Sequence, residues 1–215
     1  MRSRNFQKSL VSAAFVVSIA TTPFVVVAQT AVSLPKNKYN VRDDIRLGRE
    51  TAVKVEQQFP IIQDNQLTRY VQTVGDRLVS SLPAQFRQPE FDYRFKVVNA
   101  SDINAFALPG GPMYVNRGMI EAARNEGEMA GVMAHEISHI ALRHATAQAT
   151  KQGSAGNVLG QLGLILGGAI VGGQTGAQLG ATAAAAWMTK YSREYETEAV
   201  LLGAQRQGRR RPPFV

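Results

Sequence analysis

The chain has no cysteine and only one tryptophan among its 215 residues. Without cysteine it can form no disulfide framework, and it offers no thiol to which a lipid anchor could be attached. Hydrophobic residues make up 45% of the chain and charged residues 19%, so there is enough apolar material for one sizeable core and no sign of global disorder. We therefore expect a single folded domain.

Negative charge is scarce, with 16 aspartates and glutamates against 24 lysines and arginines. Seven of the positive charges lie near the two ends of the chain: Arg2, Arg4, Lys8, Arg206, Arg209, Arg210 and Arg211. Without them the formal net charge of +8 falls to about +1, and we find no stretch in which basic and aromatic residues alternate. The composition therefore argues against nucleic acid as a partner.

A basic start, MRSRNFQK, and the apolar run after it predict a signal peptide over residues 1–28, cleaved after Ala28. The alternative is an uncleaved anchor, because residues 10–28 are just long enough to span a bilayer. Ser18 and Pro23 interrupt the run and favour the signal peptide. We therefore expect export to a bacterial periplasm. In the sequence, the signal peptide is followed by a polar linker over residues 29–40.

Hydrophobic periodicity predicts the order of elements in the mature chain. Helices are expected over residues 43–59 and 66–82, the second with Leu67, Val71, Val74 and Leu78 on one face. A half-buried strand follows over residues 91–98. NAFALPGGPMYVNRGMI then predicts a strand, a Pro-Gly-Gly turn, a strand and a short helix, and one long helix is expected over 126–150.

Residues 153–186 carry no charge and consist mainly of small and apolar residues. They are typical of two closely packed helices, and the alternative is a hairpin that inserts into a membrane. The most apolar part, LGLILGGAIVGG, is too short to span a bilayer, which favours two packed helices over an inserted hairpin. Peripheral membrane association remains as an alternative.

The segment AHEISHIALRH, within the predicted long helix, has the pattern of a metal-dependent hydrolase. Residues four apart on a helix lie about 40° apart, so His135 and His139 can bind one tetrahedral ion. Glu136 could then take a proton from the attacking water and pass it to the leaving amine. His144 lies about 140° away around the same helix, so we expect it to be a polar residue at the helix end.

Such a site needs a third protein ligand from another element. KYSREYETEA offers Glu194, Glu196 and Glu198 on a predicted helix, and a solvated acidic face is the alternative interpretation of these residues. The residues alone leave this choice open.

Three motifs in order, NAFALPGG, AHEISHIALRH and YSREYETEA, resemble the HtpX-like and CaaX-prenyl-protease-like zinc metallopeptidases. Within that family they are similar to the exported branch of beta-barrel assembly-enhancing proteases. The resemblance implies an α+β, mostly helical, zincin-like domain over residues 41–205, with a small β-sheet beside the zinc-binding helix.

The resemblance also implies roles for individual residues. One zinc ion per chain would be bound by His135, His139 and Glu196, with Glu136 as the general base. Arg193 would support the site. An edge strand would face the substrate through the backbone of four residues: Asn104, Ala105, Phe106 and Ala107.

Two departures from the family pattern are visible. Where the family carries an aspartate that supports a zinc-binding histidine, this chain has Val200. At residues 206–215, RQGRRRPPFV replaces the expected further helix, which suggests a truncated or frameshifted product. The alternative is a natural short form whose basic tail binds anionic lipid.

The resemblance predicts a periplasmic zinc endopeptidase that acts on misfolded or unassembled outer-membrane proteins, and association with the outer membrane is a further expectation. Val200 and the altered C-terminus support another hypothesis, a protease-derived fragment that binds unfolded strands without cleaving them.

Overall fold

The computed structural model describes residues 32–151 and 191–208, and of residues 205–208 only the backbone. The predicted signal peptide, the glycine-rich segment and most of the basic tail lie outside these residues. Within them the chain is mostly helical with one small sheet, which confirms the predicted α+β class. No helix in this part of the chain has the length and apolar character that a membrane span requires.

The described residues include six α-helices and three strands. A 3-10 turn at Ala84–Phe86 joins the first two helices to the sheet. In chain order the elements are α1 (Val41–Gln58), α2 (Asn65–Ser80), β1 (Phe95–Val98), β2 (Ala105–Ala107), β3 (Met113–Asn116), α3 (Arg117–Ala122), α4 (Glu126–Ala141), α5 (His144–Lys151) and α6 (Arg193–Gly208).

The first two helices begin at side-chain caps. The Asn40 side chain accepts a hydrogen bond from the Asp43 amide, and the Asp43 carboxylate accepts one from the Asn40 amide. At α2 the Asp64 side chain accepts hydrogen bonds from the amides of Gln66 and Leu67. The stripe predicted on α2 faces the main core, with Val71 and Val74 fully buried and its two outer leucines packed against them.

The sheet has the order β1-β3-β2, with β1 parallel and β2 antiparallel to the central β3. β1 is shorter than predicted because the residues before it bond elsewhere: the amide of Asp92 donates to the carbonyl of Gly110. The outer edge of β1 is partly covered, since the amide of Ile62 donates to the carbonyl of Val97. β2 forms the opposite edge of the sheet and lies against α4.

Gly48 is where α1 approaches the turn between β2 and β3. A Cβ at this position would overlap the carbonyl oxygen of Pro109. We expect Gly48→Ala to lower the free energy of unfolding by about 1–3 kcal/mol, since overpacking against backbone outweighs the better helix propensity of alanine. Urea unfolding followed by circular dichroism would measure it.

Gly203→Ala is the control for that prediction. Its added Cβ would meet atoms of Ala134 and His135 no closer than 3.6 Å, an ordinary van der Waals distance. Stability should stay the same or rise, because alanine is the better helix former. Equal losses in the two variants would contradict the steric explanation.

The long helix predicted over residues 126–150 is in fact two helices. α4 ends at Ala141, and α5 begins at His144. Between them Arg143 has a φ of 59°, in the left-handed region that costs a non-glycine residue about 1–2 kcal/mol. The guanidinium of Arg143 is fixed in this position by an ion pair with buried Asp44 and by a hydrogen bond to the carbonyl of Tyr39.

Candidate metal centre

Helix α4 presents both histidines of the HEISH motif at the wall of a cleft. The helix is capped by Asn125, whose side chain accepts a hydrogen bond from the Glu128 amide. Its buried face includes Met133 and Ile137 and fixes the rotation of the helix. His139 is therefore buried, while His135 is partly open to the cleft.

Helix α6 packs along α4 and supplies the third group. The residues that it buries recur at helical spacing: Tyr195, Ala199 and Leu202. Gly203 faces the backbone of Ala134, and an added Cβ there would lie at an ordinary van der Waals distance. This packing brings Glu196 to the motif histidines, whereas Glu194 forms an exposed ion pair with Lys151.

His135, His139 and Glu196 each offer one ligand atom, and these atoms all lie within 4.8 Å of one another. The two Nε2 atoms are 3.1 Å apart. The Glu196 oxygens lie 3.2 Å from Nε2 of His135 and 3.7 Å from Nε2 of His139. Ligand atoms about 2 Å from a tetrahedral zinc ion are about 3.3 Å apart, so this donor set fits such an ion.

The electrostatics of Glu196 favour its charged form. Partial burial by itself would raise the pKa of Glu196, but the hydrogen bond with His139 and the charges of both histidines lower it overall. An ionised carboxylate is the form that binds a metal.

The three residues line a cleft of about 390 Å³ that Glu136 and Tyr191 share. The Tyr191 ring stacks on His139, with centroids 4.2 Å apart. Burial of its hydroxyl raises the pKa of Tyr191, and the nearby charges of Glu136 and Glu196 raise it further. The cleft therefore holds a carboxylate beside the candidate ligands and a neutral phenol against one of them.

The predicted substrate-facing residues are divided between two sides of the sheet. Asn104 and Ala105 line the cleft, and the Ala107 side chain is buried in the main core. Phe106 points to the other face, where its ring stacks on Tyr114 at 5.1 Å. Arg193 is exposed at the first position of α6 and is absent from the described residues that line the cleft.

His144 was expected to be a polar helix-end residue; it does lie at the end of a helix, but it is buried beside the candidate metal centre. The break at Arg143 turns the chain, so His144 begins α5 with no exposed surface. Its Nδ1 lies 2.9 Å from Nδ1 of His139, and its Nε2 lies 3.2 Å from Oε2 of Glu198. Burial, together with the charges of His139 and His135, lowers the pKa of His144 to about 2, which keeps the ring neutral.

The sequence contains no clear signal for this arrangement. The prediction assumed an unbroken helix, and nothing at Leu142 or Arg143 resembles the glycine or asparagine that commonly ends one. Val200, the departure from the family pattern, is 56% exposed on α6. Glu198, two residues earlier, is the α6 carboxylate that reaches a ring nitrogen of His144.

Comparison with known proteins identifies one family. Residues 65–212 match peptidase family M48, a range that runs from α2 into the basic tail. The beta-barrel assembly-enhancing protease of Yersinia pestis is 42% identical over 81 residues, which cover 38% of this chain and 16% of that protein. The protein of the same name from Escherichia coli K12 is 31% identical over 119 residues, covering 53% of this chain and 24% of its own length. The chain thus matches less than a quarter of the length of either relative.

Proposed function

The chain belongs to peptidase family M48, a family of metallopeptidases, and on this basis we propose that it is a zinc-dependent endopeptidase. The observation that carries the proposal is the convergence of His135, His139 and Glu196 on one point of a cleft. These three residues would hold one zinc ion per chain. Two histidines and a glutamate leave the fourth position of a tetrahedral ion open for chemistry.

A bound zinc ion supplies Lewis acidity, which lowers the pKa of water and polarises the scissile carbonyl. Glu136 acts as the general base, since it follows the first ligand directly and lines the same cleft. Its carboxylate accepts a proton from the water whose oxygen attacks the carbonyl carbon. The carboxylic acid then returns that proton to the amine nitrogen as the carbon–nitrogen bond breaks.

The substrate binds as an added strand along the edge of β2 that faces away from β3. The amide of Asn116 donates to the carbonyl of Asn104, and the amide of Leu108 donates to the carbonyl of Pro112. Alternation in an antiparallel pair then directs the backbone groups of Ala105 and Ala107 away from β3. Those groups are not used by β3, and an extended peptide that reaches this buried edge would pair with them beside Ala105 and the proposed metal ligands.

The substrates are misfolded or unassembled outer-membrane proteins, and the site of action is the periplasm. Two observations support this part of the proposal: the N-terminal pattern of a signal peptide over residues 1–28, and relatives named beta-barrel assembly-enhancing protease. An unfolded membrane strand is already extended, which suits recognition through backbone hydrogen bonds rather than through particular side chains.

A second candidate function is strand binding without cleavage. Val200 favours it, because the side chain of a valine cannot hydrogen-bond to a metal-binding histidine as an aspartate can. Both functions would use the same cleft and the same edge strand.

Zinc content is the experiment that tests the proposal. The purified chain, dialysed and measured by elemental analysis, should contain about one zinc per chain, and His135→Ala should contain almost none. Glu194→Ala is the control, because Glu194 lies on the same helix as the third ligand but pairs with Lys151. A chain that retains no zinc would contradict the enzyme and favour the binding module.

A further inference from the structure

The metal centre has a second layer, formed by His144 and Glu198. His144 is fully buried, at 0% exposure, with one ring nitrogen facing His139 and the other facing Glu198. The proposed ligand His139 thus has its Nε2 directed toward His135 and Glu196, and its Nδ1 directed toward His144.

The distances define one consistent arrangement of hydrogens. If Nε2 of His139 binds a metal, that atom carries no hydrogen, and Nδ1 of His139 carries it instead. Nδ1 of His144 must then accept that hydrogen bond at 2.9 Å. The hydrogen of His144 is left on Nε2, where it donates to the Glu198 carboxylate at 3.2 Å. Every ring nitrogen in this chain of contacts has one suitable partner.

Packing holds the His144 ring in place. It stacks on Tyr195 with centroids 4.3 Å apart and an interplanar angle of 9°. The Lys151 ammonium covers the same tyrosine ring, 4.1 Å from its centroid. The ion pair between Arg143 and Asp44 fixes the backbone immediately before His144. The imidazole is therefore presented in one orientation before any metal binds.

We infer that His144, oriented by Glu198, is a positioning residue that fixes the tautomer and ring orientation of His139 for metal binding. The inference rests on the proposed function, since it assumes that His139 is a ligand. Neither residue is among the described residues that line the cleft, so both act on the metal site through His139. Partners of this kind typically change metal affinity by about tenfold to a hundredfold.

The test compares His144→Leu, His144→Gln and Glu198→Ala in the full chain. Leucine removes the acceptor for His139, whereas glutamine retains one acceptor and one donor group. We expect His144→Leu and Glu198→Ala to raise the dissociation constant for zinc by about tenfold to a hundredfold, and His144→Gln to recover much of that loss. Competition with a chromophoric chelator would measure the constants.

Two further measurements separate positioning from a purely structural role. The visible absorption of the Co²⁺-substituted protein should change in His144→Leu, because it reports the geometry of the ligands around the ion. The melting temperature of the metal-free protein should fall no further in Glu198→Ala than in the control, Glu194→Ala, a glutamate of the same helix whose partner is Lys151.

The possible results distinguish this inference from the proposed function. If the unaltered chain binds no zinc, the proposed function fails and the positioning role fails with it. If the unaltered chain binds zinc and both His144→Leu and Glu198→Ala bind it equally well, the positioning role alone is overturned. Weaker zinc binding in both variants, an altered Co²⁺ spectrum in His144→Leu and recovery in His144→Gln would support it.

Discussion

Glu136→Gln is expected to lower kcat for peptide hydrolysis by about a hundredfold to ten-thousandfold while leaving one zinc per chain. Glutamine has almost the shape of glutamate but cannot accept the proton of the attacking water. The proposed metal ligands are other residues, so binding of the ion should persist. Cleavage of casein or of an unfolded outer-membrane protein, with zinc content measured on the same preparation, would check both parts.

Glu126→Gln is the control for this variant, because Glu126 lies on the same helix but is exposed and forms an ion pair with Arg77. It should retain full turnover. The comparison also separates the two candidate functions. A strand-binding module would bind unfolded protein equally well with glutamate or glutamine at position 136, and neither form would cleave it. A protease would lose cleavage in the Glu136→Gln variant but would still bind its substrate.

Asp44→Ala is expected to lower the free energy of unfolding by about 3–5 kcal/mol, because it leaves the Arg143 guanidinium largely buried without its charge partner. Asp44 is 1% exposed, and the Arg143 side chain is 15% exposed. The same change removes the ion pair that holds Arg143 at its positive φ. His144, the next residue, would then lose its fixed position beside His139. Zinc affinity should therefore fall together with stability.

A double-mutant cycle gives that prediction its control. Burial raises the pKa of Asp44, although the guanidinium of Arg143 opposes this effect, so the pair is costly to bury. Combining Asp44→Ala with Arg143→Gly should cost less than the two single changes added together, since neither charge remains unpaired and glycine accepts the left-handed backbone. Glu50→Ala, which removes an exposed ion pair on the same helix, should cost under about 1 kcal/mol. Simple additivity in the cycle would contradict the account.

The features that the sequence predicted well depend on local periodicity. The stripe on α2 and the strand–turn–strand around the Pro-Gly-Gly turn follow from spacings within about twenty residues, and the structure has both. The side-by-side placement of His135 and His139 is of the same kind, since a step of four residues on any α-helix exceeds one full turn by only about 40°. These properties are present in the chain before it folds.

Which glutamate joins the two histidines could not be predicted from the neighbouring sequence. Glu194, Glu196 and Glu198 are equivalent as residue types, and only the family resemblance distinguished them at the level of sequence. In the structure, packing of α6 on α4 directs Glu196 to the two Nε2 atoms, Glu198 to His144 and Glu194 to Lys151. The rotation of α6 about its axis, fixed by Tyr195 and the other buried residues of that helix, decides among the three carboxylates.

The sequence by itself determined the donor types, the spacing of the motif on one helical face and the order of helices and strands. Tertiary structure decided where α4 ends and where His144 lies. The left-handed backbone at Arg143 is unfavourable on local grounds and is stabilised by Asp44, 99 residues earlier in the chain. A conformation whose energy depends on such a distant partner leaves no periodic signal in the residues around it, and this is why the second layer of the metal centre became visible only in the fold.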